Sequence, residues 1–195
     1  MTFRLENKFS LSISDFSFFK KILIDKGMVP LHKSRIINSI YFDNLNFDMY
    51  HQSEEGILPR KKIRIRWYDN LKNFFYEKKI SSYEGRFKEN ILLDFINSEN
   101  EILKENFNIQ GYGFIHPKLK ITYCREYFVL RDIRLTFDSC ISYINLVRPN
   151  LKFSDDHYVI EAKTPYLNME DYVNELLPYS TSRFSKYCRG LSLTS

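Results

Sequence analysis

The sequence predicts an α+β protein in which antiparallel sheet dominates. Eight runs of the 195-residue chain are strand-like, five of them with two-residue alternation. The segments between them are short, and helical spacing is limited to a few stretches. Short connections favour antiparallel neighbours, because a parallel pair needs a long crossover. We therefore expect one mostly antiparallel sheet with a few helices, in a single domain covering residues 1–195.

Residues that commonly begin or end helices and strands predict the bounds of the individual elements. Residues 14–26 have apolar positions at helical spacing and stop before Gly27. Further short helices are expected at residues 48–54, 98–105 and 169–177, and another around Ser185 and Lys186. The predicted strands are residues 2–10, 36–42, 60–69, 73–81, 86–94, 118–130, 132–140 and 157–164.

Composition excludes several classes of protein. Hydrophobic residues make up 44% of the chain and aromatic residues 16%, which is too many for an intrinsically disordered protein. Six Gly and six Pro exclude collagen-like and low-complexity sequence. No apolar run approaches the roughly 20 residues of a membrane helix, and no apolar signal region follows Met1. Three widely spaced cysteines indicate a reducing compartment, so we expect a cytoplasmic protein.

Positive charge is concentrated on one face of one predicted strand. The chain has 29 Lys and Arg against 24 Asp and Glu, a formal net charge of +5. Because strand side chains alternate between faces, residues 60–68 have four cations on one face and three apolar residues on the other. The cations are Arg60, Lys62, Arg64 and Arg66, and the apolar residues are Ile63, Ile65 and Trp67. Other strands add Arg4, Lys8, Lys79, Arg125 and Arg134.

Two interpretations fit these polar faces. In the first, they belong to an ordinary half-solvated sheet. In the second, the sheet closes into an antiparallel barrel of about eight strands with helices packed outside, and the charges line its interior. Adjacent like charges repel, so an anion would neutralise them, and the planar guanidinium of Arg suits phosphate. Three interspersed acids, which are Glu6, Glu77 and Glu161, would allow an extended polyphosphate to be held with a divalent metal.

A series of short polar and charged runs extends over nearly the whole chain. They are Arg4-x-Glu6-x-Lys8, Ser39-Ile40-Tyr41-Phe42-Asp43, Arg60-x-Lys62-x-Arg64-x-Arg66-x-Tyr68, Glu77-Lys78-Lys79, Tyr123-Cys124-Arg125, Arg134-Leu135-Thr136-Phe137-Asp138, Ile160-Glu161-Ala162-Lys163 and Phe184-Ser185-Lys186-Tyr187. In this order they resemble the VTC (vacuolar transporter chaperone) domain. The order of these runs and the strand of alternating cations make the set specific.

The resemblance implies a fold and an activity. VTC domains belong to the triphosphate tunnel metalloenzymes, whose fold is a closed antiparallel barrel with helices outside. The implied function is a polyphosphate polymerase, which transfers the terminal phosphoryl group of ATP to inorganic polyphosphate with Mn²⁺ or Mg²⁺. The implied partners are ATP and polyphosphate, without nucleic acid. The chain has no membrane segment of its own, so any attachment to the cytosolic face of a membrane would need a separate partner.

The resemblance also assigns roles to individual residues. It places Lys8, Arg64, Arg66, Lys79, Arg125, Arg134 and Lys186 on the reacting phosphates. Further phosphate contacts are expected from Arg4, Lys62, Lys88, Tyr123, Lys163 and Ser185, and Glu161 is the expected metal ligand. Arg4 stands where the wider superfamily has the first acid of its Glu-x-Glu-x-Lys signature, which argues against a two-metal cyclase or thiamine triphosphatase. Ser81 stands where some relatives have a tunnel histidine.

Three functions remain open from the sequence. The first is ATP-dependent polyphosphate synthesis. The second is hydrolysis of triphosphate or tripolyphosphate on the same scaffold, with water as the acceptor. The third is a non-catalytic module that binds polyphosphate or nucleotide and needs no metal. Phosphoryl transfer requires mainly positioning and charge neutralisation, so the same cations would serve the first two functions.

Overall fold

The computed structural model describes residues 5–164, 173, 175–176 and 181–195. Within them, ten strands form one sheet. The strands are β1 (Leu5–Leu11), β2 (Val29–Asp43), β3 (Arg60–Tyr68), β4 (Phe74–Ser82), β5 (Gly85–Leu93), β6 (Phe107–Ile109), β7 (Gly113–Leu130), β8 (Ile133–Asn145), β9 (Lys152–Ser154) and β10 (Tyr158–Thr164). The helices are α1 (Ile13–Asp25), α2 (Asp48–Glu55), α3 (Glu99–Ile102) and α4 (Lys186–Leu193).

The structure therefore confirms the eight predicted strands, with shifted ends. It also confirms, with shifted ends, the helices predicted near residues 14–26, 48–54, 98–105 and 186. The largest shift is in β2, which begins at Val29 instead of residue 36. Residues 29–36 are exposed on both faces of the strand and carry no apolar alternation. β6 and β9 have only three residues each, too short to show a period, and the sequence did not predict them. The predicted helix at 169–177 lies largely outside the described residues.

The sheet is antiparallel and open. Its strands follow the hydrogen-bonded order β1-β10-β8-β7-β2-β3-β4-β5, with β6 attached to β7 and β9 to β8. β1 and β5 are the two ends of this order, and within the described residues they do not pair with each other. The predicted closed barrel is therefore wrong. Alternation along a strand determines which face is polar, but it carries no information about whether the outer strands meet.

The chain groups into two compact units. Unit 1 consists of residues 1–36, 123–141 and 154–184, and unit 2 of residues 37–122, 142–153 and 185–195. The single-domain assignment stays a prediction.

Unit 1 has its own core under α1. This helix begins after Ser12, whose hydroxyl accepts a hydrogen bond from the Asp15 N–H, and it buries three apolar residues spaced along one face. Those residues, which are Phe16, Phe19 and Leu23, pack with the apolar faces of β1, β7, β8 and β10. The core-facing strand residues include Phe9, Leu11, Phe128, Leu130, Leu135, Phe137, Ile160 and Ala162.

Unit 2 has a second core on one face of β2, β3 and β4. Ile63, Ile65 and Trp67 of β3 lie in this core, as their alternation predicts, and α2 and α3 contribute Met49 and Ile102. On β3, this burial leaves the alternating Arg and Lys side chains on the opposite face.

Helix α4 belongs to unit 2 and packs closely against the sheet at Gly190. A Cβ atom at this glycine would lie 2.7 Å from Leu119 Cδ2 and would also collide with the Tyr143 ring, so the close approach requires glycine. In the part of the chain that is described, no helix is long and apolar enough to cross a membrane.

Candidate functional site: two acid-centred cationic clusters

The polar face of unit 2 is centred on Glu77, which is only 4% exposed. Arg64 lies directly across from Glu77 in the β3–β4 register and donates from Nε to Glu77 Oε2 at 2.7 Å. Lys88 Nζ donates to Oε1 at 2.8 Å, and Arg66 Nη1 lies 3.8 Å from Oε2. We call these four residues the Glu77 cluster. Three cations on one buried carboxylate leave the group with net positive charge.

The charges of the Glu77 cluster shift pKa values in a consistent direction. Burial alone would raise the pKa of Glu77, but Arg64, Arg66 and Lys88 outweigh it and lower the pKa to about 2. Tyr41 on β2 receives a hydrogen bond from Arg64 Nη1 at 2.5 Å. Burial opposes ionisation of Tyr41, yet the cations around it lower its pKa below the ordinary value. This face of unit 2 therefore favours negative charge.

Three lysines, one of them Lys88 of the Glu77 cluster, form a row across three neighbouring strands. Lys62 on β3, Lys79 on β4 and Lys88 on β5 are directly opposite one another in register. Like charges in such positions destabilise a sheet unless an anion offsets them. Lys62 Nζ also donates to the Ser185 hydroxyl at 2.8 Å, which connects the row to the start of α4.

The start of α4 is held in place by hydrogen bonds. The Ser185 hydroxyl accepts the Cys188 N–H, so Ser185 is the N-cap and Lys186 is the first helical residue. Tyr187 donates its hydroxyl proton to Asp43 Oδ2 at 2.6 Å, and its ring stacks on Tyr41 with centroids 5.0 Å apart. The helix beginning therefore lies beside Lys62 and Tyr41.

Unit 1 has a second acid-centred group, the Glu161 cluster, which consists of Lys8, Arg125, Asp138, Glu161 and Lys163. Glu161 on β10 is 7% exposed and lies opposite Lys8 of β1. Lys163 Nζ is 2.7 Å from Glu161 Oε1. Arg125 donates from Nε and Nη2 to the two oxygens of Asp138 at 2.6 and 2.7 Å, and its Nη2 is 3.9 Å from Glu161 Oε2.

Charges within the Glu161 cluster favour ionised groups. Burial would raise the pKa of Glu161, but Lys8, Lys163 and Arg125 lower it far below its usual range. Burial opposes the charge on Arg125, yet Tyr123, Asp138 and Glu161 raise its pKa well above the usual value. The Arg125 guanidinium also lies over the Tyr123 ring, 5.3 Å from the centroid.

The donor set around Glu161 fits one kind of divalent-metal site. Mg²⁺ and similar hard cations are often held by one or two carboxylates while water and substrate phosphates complete the coordination. Glu161 supplies one carboxylate, and the Thr136 Oγ1 directly across on β8 is buried without a hydrogen-bond partner. Among the described residues, the close group of three His, Cys, Asp or Glu ligands is Asp155, Asp156 and His157, which does not include Glu161. The residues therefore fit a metal that shares its coordination with phosphate.

The structure brings most of the expected site residues together within each unit, while their roles stay predictions. In unit 2 these are Lys62, Arg64, Arg66, Lys79, Lys88, Ser185 and Lys186. In unit 1 they are Lys8, Tyr123, Arg125, Glu161 and Lys163. Arg134 pairs with Lys163 in the β10–β8 register but is exposed, and Arg4 lies outside the described residues.

Sequence reasoning missed several partners of these residues. Sequence reasoning places Asp138 only within the Arg134-Leu135-Thr136-Phe137-Asp138 run, although Asp138 lies on the same face as Arg134 and accepts two hydrogen bonds from Arg125. Asp43 and Tyr41 were recognised only as part of a motif, although each contacts a site element. The sequence signal that could have identified these three residues is their position on the polar face of strands that also carry Arg.

Each unit of this antiparallel sheet therefore carries a buried acid surrounded by Arg and Lys. A family model of the VTC domain matches residues 3–195, so the chain belongs to the VTC domain family. No curated protein matches the chain in sequence.

Solved structures share this fold at low identity. A proposed adenylate cyclase from Bacillus halodurans has a TM-score of 0.63 and 15% identity, covering 95% of this chain and 96% of that one. A proposed adenylyl cyclase from Hippeastrum, described as having a dominant triphosphatase activity, has a TM-score of 0.59 and 17% identity, covering 97% and 96%. A conserved hypothetical protein from Pyrococcus furiosus has a TM-score of 0.60 and 14% identity, covering 96% and 99%.

Proposed function

We propose that the protein is an ATP-dependent polyphosphate polymerase, which transfers the terminal phosphoryl group of ATP to inorganic polyphosphate. Membership of the VTC domain family supports this proposal. The observation that carries it is the pair of acid-centred clusters, in which arginines and lysines surround Glu77 and Glu161. A polyphosphate offers only charged oxygens for recognition, and Arg and Lys on strand faces are suited to bind them.

The reaction itself requires little covalent chemistry from the protein. The bond between the terminal phosphorus of ATP and its bridging oxygen breaks, and ADP leaves with the electron pair. A terminal oxygen of polyphosphate forms the new bond to that phosphorus. No general base is needed, because this oxygen is already ionised at neutral pH. The cations bind and orient the phosphates and offset the charge that develops during transfer.

The proposed roles follow the geometry of each cluster. Arg64 and Arg66 are held by Glu77 before substrate arrives, so little side-chain ordering remains for binding. The further proposed phosphate ligands of unit 2 are Lys62, Lys79, Lys88, Ser185 and Lys186. Those of unit 1 are Lys8, Tyr123, Arg125, Arg134 and Lys163.

We further propose that Glu161 binds a divalent metal, Mn²⁺ or Mg²⁺. When bound, such an ion offsets negative charge on phosphate oxygens. Lys163 and Arg125 balance the Glu161 carboxylate in the structure, and both are also proposed phosphate ligands.

One assay separates synthesis from the competing functions. Purified protein is incubated with ATP, a short polyphosphate primer and Mn²⁺, and products are resolved on a polyphosphate gel while phosphate release is measured. The proposal expects polyphosphate chains that lengthen with time, with one ADP formed for each phosphate that is added. Phosphate release without lengthening would identify a hydrolase. Calorimetric binding of tripolyphosphate without either product would identify a non-catalytic binding module.

A further inference from the structure

Two sequence motifs meet in unit 2. One is Tyr41-Phe42-Asp43 at the end of β2, to which no chemistry has been assigned. The other lies at the start of α4 and includes the proposed phosphate ligands Ser185 and Lys186, followed by Tyr187, which has no assigned role. Phe42 lies in the core of unit 2, whereas the residues on either side of it contact Tyr187. The two motifs are therefore parts of one contact.

Asp43 is the fixed end of this contact. It is fully buried, and its carboxylate accepts backbone N–H groups from Asn44, Met49 and Tyr50 at 2.9, 3.1 and 2.9 Å. The two latter donors lie in the first turn of α2, so Asp43 is tied to both β2 and α2. Tyr187 adds its hydroxyl at 2.6 Å as the fourth donor.

The proton of this hydrogen bond stays on Tyr187. Burial and the neighbouring Asp43 raise the pKa of Tyr187 well above its ordinary value. Burial also raises the pKa of Asp43, although its four hydrogen bonds oppose this shift. Tyr187 therefore remains a donor at neutral pH, and its ring is fixed at the hydroxyl end.

From Tyr187 the contacts continue to proposed phosphate ligands on two sides. The Tyr187 ring stacks on Tyr41 at an interplanar angle of 12°, and the Tyr41 hydroxyl accepts a hydrogen bond from Arg64. Along the helix, Tyr187 follows Lys186 and Ser185, and the Ser185 hydroxyl accepts a hydrogen bond from Lys62. A shift of the Tyr187 ring would therefore move Arg64 and the first residues of α4 together.

We propose that Asp43 and Tyr187 are positioning residues that orient Arg64, Ser185 and Lys186 for phosphate binding. They touch no phosphate themselves and act through Tyr41 and the backbone of α4. The inference rests on the proposed function, because it assumes that these side chains bind phosphate. Its physical basis is preorganisation, since ligands that are already ordered lose less entropy when the anion arrives.

Tyr187→Phe tests the inference, because it removes the hydroxyl and keeps the stacked ring. The matched control is Tyr112→Phe, which also removes a tyrosine hydroxyl in unit 2. That hydroxyl donates to Gln52 Oε1 at 2.5 Å and accepts the Lys61 N–H at 3.3 Å, and it lies in no proposed phosphate site. Tripolyphosphate affinity is measured by calorimetry at constant salt, together with thermal stability. We expect Tyr187→Phe to weaken binding about five- to tenfold, the effect of one hydrogen bond, and Tyr112→Phe to leave binding unchanged.

A second measurement reports the position of α4 without any phosphate. In a Cys124→Ser, Cys140→Ser background, the buried Cys188 of α4 is the remaining thiol. Tyr187→Phe should speed its reaction with a thiol reagent several-fold, whereas Tyr112→Phe should not.

The outcomes distinguish the inference from the function on which it rests. Wild-type protein that binds no tripolyphosphate would overturn the proposed function and, with it, the positioning role. Normal binding by both wild type and Tyr187→Phe would overturn the positioning role alone. Equal losses of stability in the two variants, with unchanged affinity in both, would show that the Asp43–Tyr187 bond only stabilises the fold.

Discussion

The Glu77 and Glu161 clusters differ in how closely cations approach the two oxygens of the central carboxylate. In unit 2, Glu77 has two cations within 2.8 Å, on separate oxygens, and Arg66 at 3.8 Å. In unit 1, Arg125 directs both of its close hydrogen bonds to Asp138, and its Nη2 lies 3.9 Å from Glu161 Oε2. The close contact of Glu161 is with Lys163, at 2.7 Å on Oε1. One acid is saturated by cations, whereas the other retains an oxygen with weaker contacts.

This difference suggests separate roles for two acids that look alike in sequence. A saturated buried carboxylate holds its arginines in fixed positions, and removing it leaves their charges uncompensated. A carboxylate with a less engaged oxygen is better suited to accept a metal ion. We therefore treat Glu77 as a counter-ion that arranges phosphate ligands and Glu161 as the proposed metal ligand.

The largest expected effect is on the turnover rate, which should differ between variants of the two acids. Glu161→Gln should lower metal-dependent turnover by about a hundredfold or more, because charge neutralisation by a metal contributes several kcal/mol to phosphoryl transfer. Glu77→Gln should retain the same dependence on Mn²⁺. The measurements are ADP formation across a manganese titration and Mn²⁺ binding by electron paramagnetic resonance with tripolyphosphate present. Unchanged Mn²⁺ binding in Glu161→Gln protein would refute the metal assignment.

The next effect concerns the contribution of Glu77 to stability. The pKa of Glu77 is lowered from 4.5 to about 2 in the folded protein, so its ionised form stabilises the fold above the unfolded pKa. This contribution, about 3 kcal/mol, is lost as the pH falls from about 4.5 towards 2. Glu77→Gln should lower the free energy of unfolding at pH 7 and flatten its fall between pH 5 and 3.

A control for this prediction lies on the opposite face of the same strands. Glu89 of β5 pairs with Lys78 of β4, and its side chain is 45% exposed. Exposed pairs contribute about 0–1 kcal/mol, so Glu89→Gln should change the unfolding curve little. If denaturant titrations give the same pH dependence for Glu77→Gln and wild type, Glu77 does not have the proposed stabilising role.

Sequence alone predicted the faces of the strands well. The alternation in residues 60–68 placed Ile63 and Ile65 in a core and Arg64 and Arg66 together on the opposite face, and the structure confirms both. The prediction succeeds because a one-residue slip would turn every apolar side chain of the strand to the wrong face. Periodicity thus determines the faces, including that of the site.

Contacts between distant residues and the closure of the sheet could not be predicted in the same way. The Asp43–Tyr187 bond joins residues 144 positions apart, and no local pattern in either segment indicates its partner. Arg125 and Asp138 lie nearer in sequence, yet their pairing depends on the β7–β8 arrangement. Whether β1 meets β5 depends on the summed twist and stagger of all the strands between them.

Substitutions at two neighbouring positions of β3 test which face of this strand binds phosphate and which face packs in the core. Arg66→Ala should weaken tripolyphosphate binding roughly 10- to 150-fold, since a charge-assisted hydrogen bond contributes ~1.5–3 kcal/mol. Ile65→Ala should lower the free energy of unfolding by ~2–5 kcal/mol through a core cavity, with near-normal binding at temperatures where it remains folded. Calorimetric titrations and thermal melts of both variants measure these effects. Wild-type affinity in Arg66→Ala would mean that this face binds no phosphate.

The smallest effect concerns Lys88, which the resemblance assigns to phosphate and which pairs with Glu77 in the structure. Its side chain is 52% exposed, so salt screens its charge more than those of Arg64 and Arg66. Lys88→Gln should weaken tripolyphosphate binding only about two- to fivefold at low salt, in line with the ~0–1 kcal/mol of exposed ion pairs, and the difference should vanish near 1 M salt. Lys78→Gln is the control, because Lys78 pairs with Glu89 on the other face of the sheet. Equal affinities of the two variants at low salt would remove Lys88 from the phosphate ligands and leave it as a partner of Glu77 alone.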